Sequence, residues 1–299
     1  MKLRIVILLS VFIASSLAAQ VSFNGSPYIQ NFNTLSGTTN NTANVSWTDN
    51  STLPGWHASK SGYHVTDGTM GGSASTFDST GTANNIGLIS FGSAGSTDRA
   101  LGSRSTSTSS LGNTNAPVQY GVRLVNNTPQ TITSFSVMFT GEQWFASTQS
   151  AAHTLQVDYS IGATSLTSGT YTSNFATFTA PISTGTTARA LDGNTSTNRV
   201  GVARRVSGIS WEPGQDLWIR ITDTNESGNE QGMAIDDFVF TSEPNSALAF
   251  NGASNHVTMG AATSTLGASV FTLEAWIFRT GTGTTTSTGT GGVTAYPIV

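Results

Sequence analysis

This chain of 299 residues has no cysteine, few charges and, after its first two dozen residues, no long apolar run. Without cysteine there is neither a disulfide framework nor a lipoprotein anchor. Thiol catalysis and cysteine-based zinc sites are excluded as well. Charged residues make up 9% of the chain and the net charge is -4. Such a surface has no electrostatic footprint for nucleic acid or for anionic lipid. No internal stretch reaches the ~20 consecutive apolar residues of a membrane-spanning helix. The familiar catalytic signatures are missing too: no His-Glu-x-x-His, no Gly-x-Ser-x-Gly elbow, no phosphate-binding Gly-x-x-x-x-Gly-Lys and no dinucleotide fingerprint. Gly68-Thr-Met-Gly-Gly72 lacks a following helix and reads as a turn. His57, His64, His153 and His256 stand apart from one another. His57, His64 and Asp67 could be assembled into an acid/base site only by assumption, because an isolated histidine of a β-protein is usually a satisfied surface or core residue.

What is present begins with an export signal. Lys2 and Arg4 precede the apolar run Ile5–Ile13 and the small-residue stretch Ala14-Ser-Ser-Leu-Ala-Ala-Gln20, the three-part layout of a secretory signal peptide over residues 1–19. The expected protein is therefore secreted, extracellular or displayed at the cell surface. An apolar fraction of 37%, with 15 Phe and 6 Trp, argues for a packed core rather than disorder. Only Gly281–Gly292, nearly all Thr, Gly and Ser, reads as a loose loop.

Strand periodicity dominates. In Thr131–Thr140, Phe135, Val137 and Phe139 alternate with Ser134, Ser136 and Met138, the pattern of a half-buried strand. The same alternation marks 119–125, 154–161, 217–222 and 234–241, separated by turn clusters such as Asn126-Asn-Thr-Pro129 and Glu212-Pro-Gly-Gln215. Many short strands with turn signals predict an all-β fold, an antiparallel jelly-roll β-sandwich over residues 21–243. Pro244-Asn-Ser246 reads as a linker.

Several segments of this region resemble an N-terminal β-sandwich module of secreted bacterial multidomain proteins. They are Tyr28–Asn33, Leu53-Pro-Gly-Trp-His57, Tyr120–Thr128, Phe139-Thr-Gly-Glu-Gln-Trp144, Ala190-Leu-Asp-Gly-Asn194 and Gly232-Met-Ala-Ile-Asp-Asp-Phe238. The resemblance implies a place ahead of laminin-G-like domains, phosphoesterases, nucleases or anchoring tails, and it brings no catalytic residues. Residues 247–299, with Leu248-Ala-Phe-Asn-Gly252, Asn255-His-Val-Thr-Met259 and Phe271-Thr-Leu-Glu-Ala-Trp276, resemble the first strands of a laminin-G-like, concanavalin A-like lectin/glucanase domain. About fifty residues are too few for such a sandwich, so the chain is expected to be the front of a longer protein. Glu274 is the one carboxylate of its strand, whereas hydrolases of that fold need a pair.

Two binding chemistries follow. Calcium takes six to eight oxygen ligands, and Asp223-Thr-Asn-Glu-Ser-Gly-Asn-Glu-Gln231 supplies three carboxylates just before Asp236 and Asp237. The closing Ile-Asp-Asp-Phe also resembles the last strand of carbohydrate-binding jelly rolls, where an aspartate often holds a structural calcium. Alternation places one aspartate of the pair inward, where a carboxylate must be paired or bind metal. Asp237 is the preferred ligand, with Asp236, Asp223 and Glu226 beside it; the competing reading is a solvated turn and an inward Asp that accepts backbone hydrogen bonds. Aromatic faces stack on sugar rings, and Trp56 and Trp144, near turn signals, are the candidate glycan platforms, against the alternative that they pack in the core. Trp218 and Trp276 read as core. The expected function is a non-catalytic extracellular binding or adhesion region with a glycan or surface ligand as partner. The alternatives are the accessory N-terminal region of a secreted hydrolase, a phosphoesterase or nuclease whose catalytic domain lies beyond residue 299, and a structural spacer.

Overall fold

The computed structural model describes residues 20–37, 42–69, 87–105, 117–148, 152–183, 187–225 and 230–242, residues 42–44 by backbone only, and the backbone of 286–287 and 294–295. The chain divides into two compact units, Met1–Asn245 and Ser246–Val299. In the second, Thr286–Ser287, inside the stretch expected to be loop, pairs antiparallel with Thr294–Ala295. The expected signal peptide, the expected linker, the segments expected to be laminin-G-like and Glu226 lie outside the described residues.

The first unit is built of strands, with no helix among the described residues. One sheet has six strands. β1 (Val21–Phe23), β8 (Val118–Asn126), β14 (Asp216–Asp223), β10 (Thr154–Ile161) and β11 (Thr172–Thr179) follow in that spatial order, and β4 (Trp56–Ala58) pairs with β8. The other has nine strands. Its main path is β12 (Arg189–Ala190), β9 (Ile132–Ala146), β15 (Gly232–Ser242), β7 (Ala100–Arg104), β6 (Gly87–Phe91), β5 (Gly62–Thr66) and β3 (Thr42–Ser46). β13 (Arg199–Trp211) also pairs with β9, and β2 (Tyr28–Gln30) with β15. The sheets are mixed rather than wholly antiparallel, since β1 runs parallel to β8 and β5 parallel to β6.

Alternation fills the space between the sheets. Phe135, Val137 and Phe139 of β9 meet Leu217, Ile219 and Ile221 of β14 in one buried cluster, with Tyr120, Val122 and Leu124 of β8 beside them. Aromatic rings dominate it: Trp211 and Phe23 each meet Phe240 edge to face, at 89° and 88°. Each such pair adds about 0.5–1.5 kcal/mol beyond the area it buries. A smaller cluster of Ile89, Phe91, Ala100, Trp144 and Ala234 packs separately from this core.

Strand β15 departs from simple alternation. Its pairing with β9 slips between Asp236 and Val239, and Asp237 adopts a left-handed φ of 49°. The extra residue is a β-bulge. It lets Ile235 and Phe238 both enter the core, so neither aspartate does. The expected inward Asp is therefore corrected: Asp236 is buried away from the inter-sheet core, and Asp237 is exposed.

Candidate functional site

Neither expected tryptophan presents a face to solvent. Trp56 is 0% exposed; its ring packs edge to face on Phe32 and Phe238, and its Nε1 donates to the Tyr28 hydroxyl at 2.9 Å. Trp144 is 1% exposed, stacked on Phe91 at 6.0 Å, with its Nε1 donating to Glu142 Oε2 at 2.8 Å. Backbone closes over it: a Cβ at Gly193 would lie 2.3 Å from Trp144 Nε1. Both rings are structural, and the turn signals beside them mark only where the chain folds back over them.

Of the expected calcium ligands, the three described ones stand in two different sheets. Asp223 ends β14 in the six-stranded sheet, where it is paired with His153, whereas Asp236 and Asp237 belong to the nine-stranded sheet. Glu226 is outside the described residues. Asp236 instead neighbours Glu142 across β9 and β15, where Glu142 is opposite Ala234 and Asp236 opposite Thr140. Burial raises the Asp236 carboxyl to about 8 and the Glu142 carboxyl to about 7; Glu142, Asp237 and Asp98 push Asp236 further up, and Asp98 and Asp237 do the same to Glu142. Asp236 Oδ1 accepts the Asp237 N–H at 2.7 Å. Among the described residues no three His, Asp or Glu groups are arranged to hold a metal ion. Three segments of the family resemblance, 139–144, 190–194 and 232–238, meet here as packing partners of Trp144.

The outer face of the six-stranded sheet carries a polar set, with Trp218, Asp158, Ser160 and Thr222 buried and Gln119, Arg123 and Arg220 half-buried. Because Leu217, Ile219 and Ile221 point inward, Trp218, Arg220 and Thr222 point outward, beside Gln119, Gly121 and Arg123 of β8 and Asp158 and Ser160 of β10. The register makes rows across the strands: His57, Gly121, Arg220 and Asp158 in one, Arg123, Trp218 and Ser160 in the next. Gly121 is required where it stands, since a Cβ there would lie 2.1 Å from the Ile219 carbonyl oxygen.

Three acid–base pairs occupy this face. Arg220 donates to Asp158 Oδ2 at 2.8 and 3.2 Å, and Arg123 to Asp216 Oδ2 at 2.8 Å. His57 Nδ1 lies 3.3 Å from Asp49 Oδ2. Burial pushes the Asp49 carboxyl up, and hydrogen bonds from His57, Ala58 and Trp47 outweigh it, holding it below its ordinary value. The Arg220 guanidinium lies 3.6 Å from the centroid of the Tyr171 ring. Burial is the main cause that raises the Tyr171 hydroxyl to about 12. Trp218 is roofed by the His57 ring at 4.8 Å, and its Nε1 is taken by the Ala163 carbonyl at 2.9 Å. Arg123 Nε has no hydrogen-bond partner among the described residues. Trp218 is buried, not in the inter-sheet core but in a small cluster with Ala163 and Leu166 on the outer face; the charged neighbours of that face come from strands far apart in the chain, which no local sequence signal reveals.

His57 and His64 are also separated, in different sheets. His64 is buried in β5, and desolvation lowers its pKa to about 4, which keeps it neutral and unsuited to proton exchange at neutral pH.

No family model and no curated protein matches the chain. Among solved structures, it is similar to the CBM22-1–GH10 modules of the Clostridium thermocellum N-terminal endo-1,4-β-D-xylanase 10B complexed with xylohexaose. The identity is 10%, over 53% of this chain and 24% of that one, with a TM-score of 0.24. It is also similar to TmCBM61 in complex with β-1,4-galactotriose, at 12% identity over 50% of this chain and 74% of that one, again with a TM-score of 0.24. At such scores the likeness carries nothing about this chain's ligand.

Proposed function

We propose that residues 20–242 are a non-catalytic binding module for a neutral, hydroxyl-rich ligand, a glycan of the extracellular medium or of a cell surface, held on the outer face of the six-stranded sheet. One observation carries the reading: that face bears guanidinium, imidazole and carboxylate groups, each cation matched by a carboxylate. Oriented donors and acceptors without net charge suit sugar hydroxyls. An unmatched basic patch, as phosphate recognition needs, is missing among the described residues of this face. The Arg123 guanidinium, 30% exposed and paired with Asp216 at 2.8 Å, is the charged group that this reading offers to the ligand, one row along the strands from His57 and Arg220.

Affinity electrophoresis of the full chain through gels containing neutral polysaccharides tests this. At least one polysaccharide should retard the protein, and Arg123→Ala should abolish the retardation. The Arg123–Asp216 pair is partly exposed, and such pairs contribute about 0–1 kcal/mol, so the variant should fold normally. Free migration in every polysaccharide, or undiminished retardation of both Arg123→Ala and His57→Ala, would overturn the proposal.

A further inference from the structure

Among the described residues β13, 13 residues long, pairs with β9 alone and so forms an open edge of the nine-stranded sheet. Its register with β9 holds without a shift from Arg199 to Ser207. Just before the strand the Gln143 N–H donates to the opposed Asn198 carbonyl at 2.8 Å, and in an antiparallel ladder such bonded pairs recur at every second residue. Val200, Val202, Arg204 and Val206 therefore direct their backbone groups at β9. Arg199, Gly201, Ala203, Arg205 and Ser207 direct theirs outward, and the Arg204 guanidinium reaches round to one of them, the Ala203 carbonyl, at 2.8 Å. There is room on this side: a Cβ at Gly201 would meet nothing within 4 Å.

An edge of this length is a template for another strand unless something blocks it. β13 contains no proline, and its register slips only beyond Ser207. What it carries is charge of one sign. Arg199, Arg204 and Arg205 are exposed, Arg189 of β12 continues the line along the same side of β9, and neither strand has an acidic residue. Arg199 and Arg204 are in no ion pair among the described residues. Glu142, the carboxylate opposite Arg199, is buried and accepts the Trp144 indole N–H. Such an edge rejects a second copy of itself, because like charges directly opposite are destabilising, and it favours a strand of opposite sign.

The outer face of the sheet adds a second preference. Ala203, Met138, Val239 and Ile29 form one row across β13, β9, β15 and β2, with Met138 40% and Ile29 66% exposed. An apolar side chain set opposite Ala203 would lengthen that row. The geometry points to β13 as the docking edge for an extended acidic polypeptide that adds as a further antiparallel strand. Main-chain bonds to residues 199–207 hold it, its carboxylates meet Arg199 and Arg205, about 20 Å apart along the strand, and an apolar residue lies opposite Ala203. This edge belongs to the nine-stranded sheet and is independent of the ligand face on the other sheet.

Fluorescence anisotropy of the full chain at low salt tests this with three labelled peptides. The first, Thr-Glu-Thr-Val-Thr-Val-Thr-Glu-Thr, spaces its two carboxylates as Arg199 and Arg205 are spaced. The second has Lys in place of both Glu, and the third repeats the first with methylated backbone nitrogens at Glu and Val, the groups that face β13 in this register. The first should bind saturably, the second at least tenfold more weakly, and the third not at all. In the double variant Arg199→Glu, Arg205→Glu the order of the first two should reverse; both side chains are exposed, so the fold should persist. Equal binding of the third peptide would reduce the edge to plain attraction for any polyanion, an acidic polysaccharide included, and overturn the proposal. No saturable binding of the first peptide, or an unreversed preference in the variant, would overturn it as well. Should the variant fail to fold, the three peptides on the wild-type chain decide.

Discussion

Asp236 and Asp237 are adjacent and chemically identical, yet one is buried with a carboxyl raised to about 8 and the other is exposed at a φ of 49°. The difference is set by the backbone, since one residue in the left-handed region turns the strand by one step and sends its neighbour elsewhere. For a non-glycine residue that conformation costs roughly 1–2 kcal/mol, and aspartate tolerates it better than a β-branched side chain does. Asp237→Gly should leave the unfolding midpoint unchanged or slightly higher, whereas Asp237→Val should destabilise by about 1–2 kcal/mol in denaturant titration. Equal midpoints for the two variants would mean that the bulge is not a constraint.

At the scale of elements, the crossing of β9 and β15 sets the pH response. Glu142 and Asp236 are buried where the two strands pair, and both have folded pKa values above their unfolded ones, about 7 and about 8. The folded state therefore binds more protons than the unfolded state between those limits. This contribution is fully present below about pH 4, the ordinary carboxyl range, and is lost as pH climbs through 7 and 8. Thermal midpoints should fall between pH 6 and 9, and Glu142→Gln, which keeps an oxygen for the Trp144 indole, should flatten that fall. A midpoint independent of pH in wild type would contradict it.

For the whole molecule, the charged groups of the proposed face are paired, and the net charge is only -4. A ligand held by hydrogen bonds to matched pairs gains little from long-range attraction, and exposed charges are screened within about 8 Å at physiological salt. Affinity for the neutral polysaccharide should change less than about twofold between 50 and 500 mM salt, whereas a polyanion bound through phosphate contacts would lose several orders of magnitude. A steep salt dependence measured in the same gels would move the ligand from neutral glycan to polyanion.

The two-sheet architecture was legible because burial acts on each strand locally: Phe135, Val137 and Phe139, or Leu217, Ile219 and Ile221, announce their inward face within a few residues. That determined the fold class, the turns and the absence of familiar catalytic motifs. Register and bulges are set by partners distant in the chain, and only the tertiary structure decided them. Trp56 and Trp144 stood beside turns and still fell inside, because Phe238 and Phe91 came from elsewhere to cover them. His153, solitary in sequence, meets Asp223 and Glu230 from 70 and 77 positions further on. Likewise the ion-paired face that we propose as the binding surface exists only where β4, β8, β14 and β10 pair side by side.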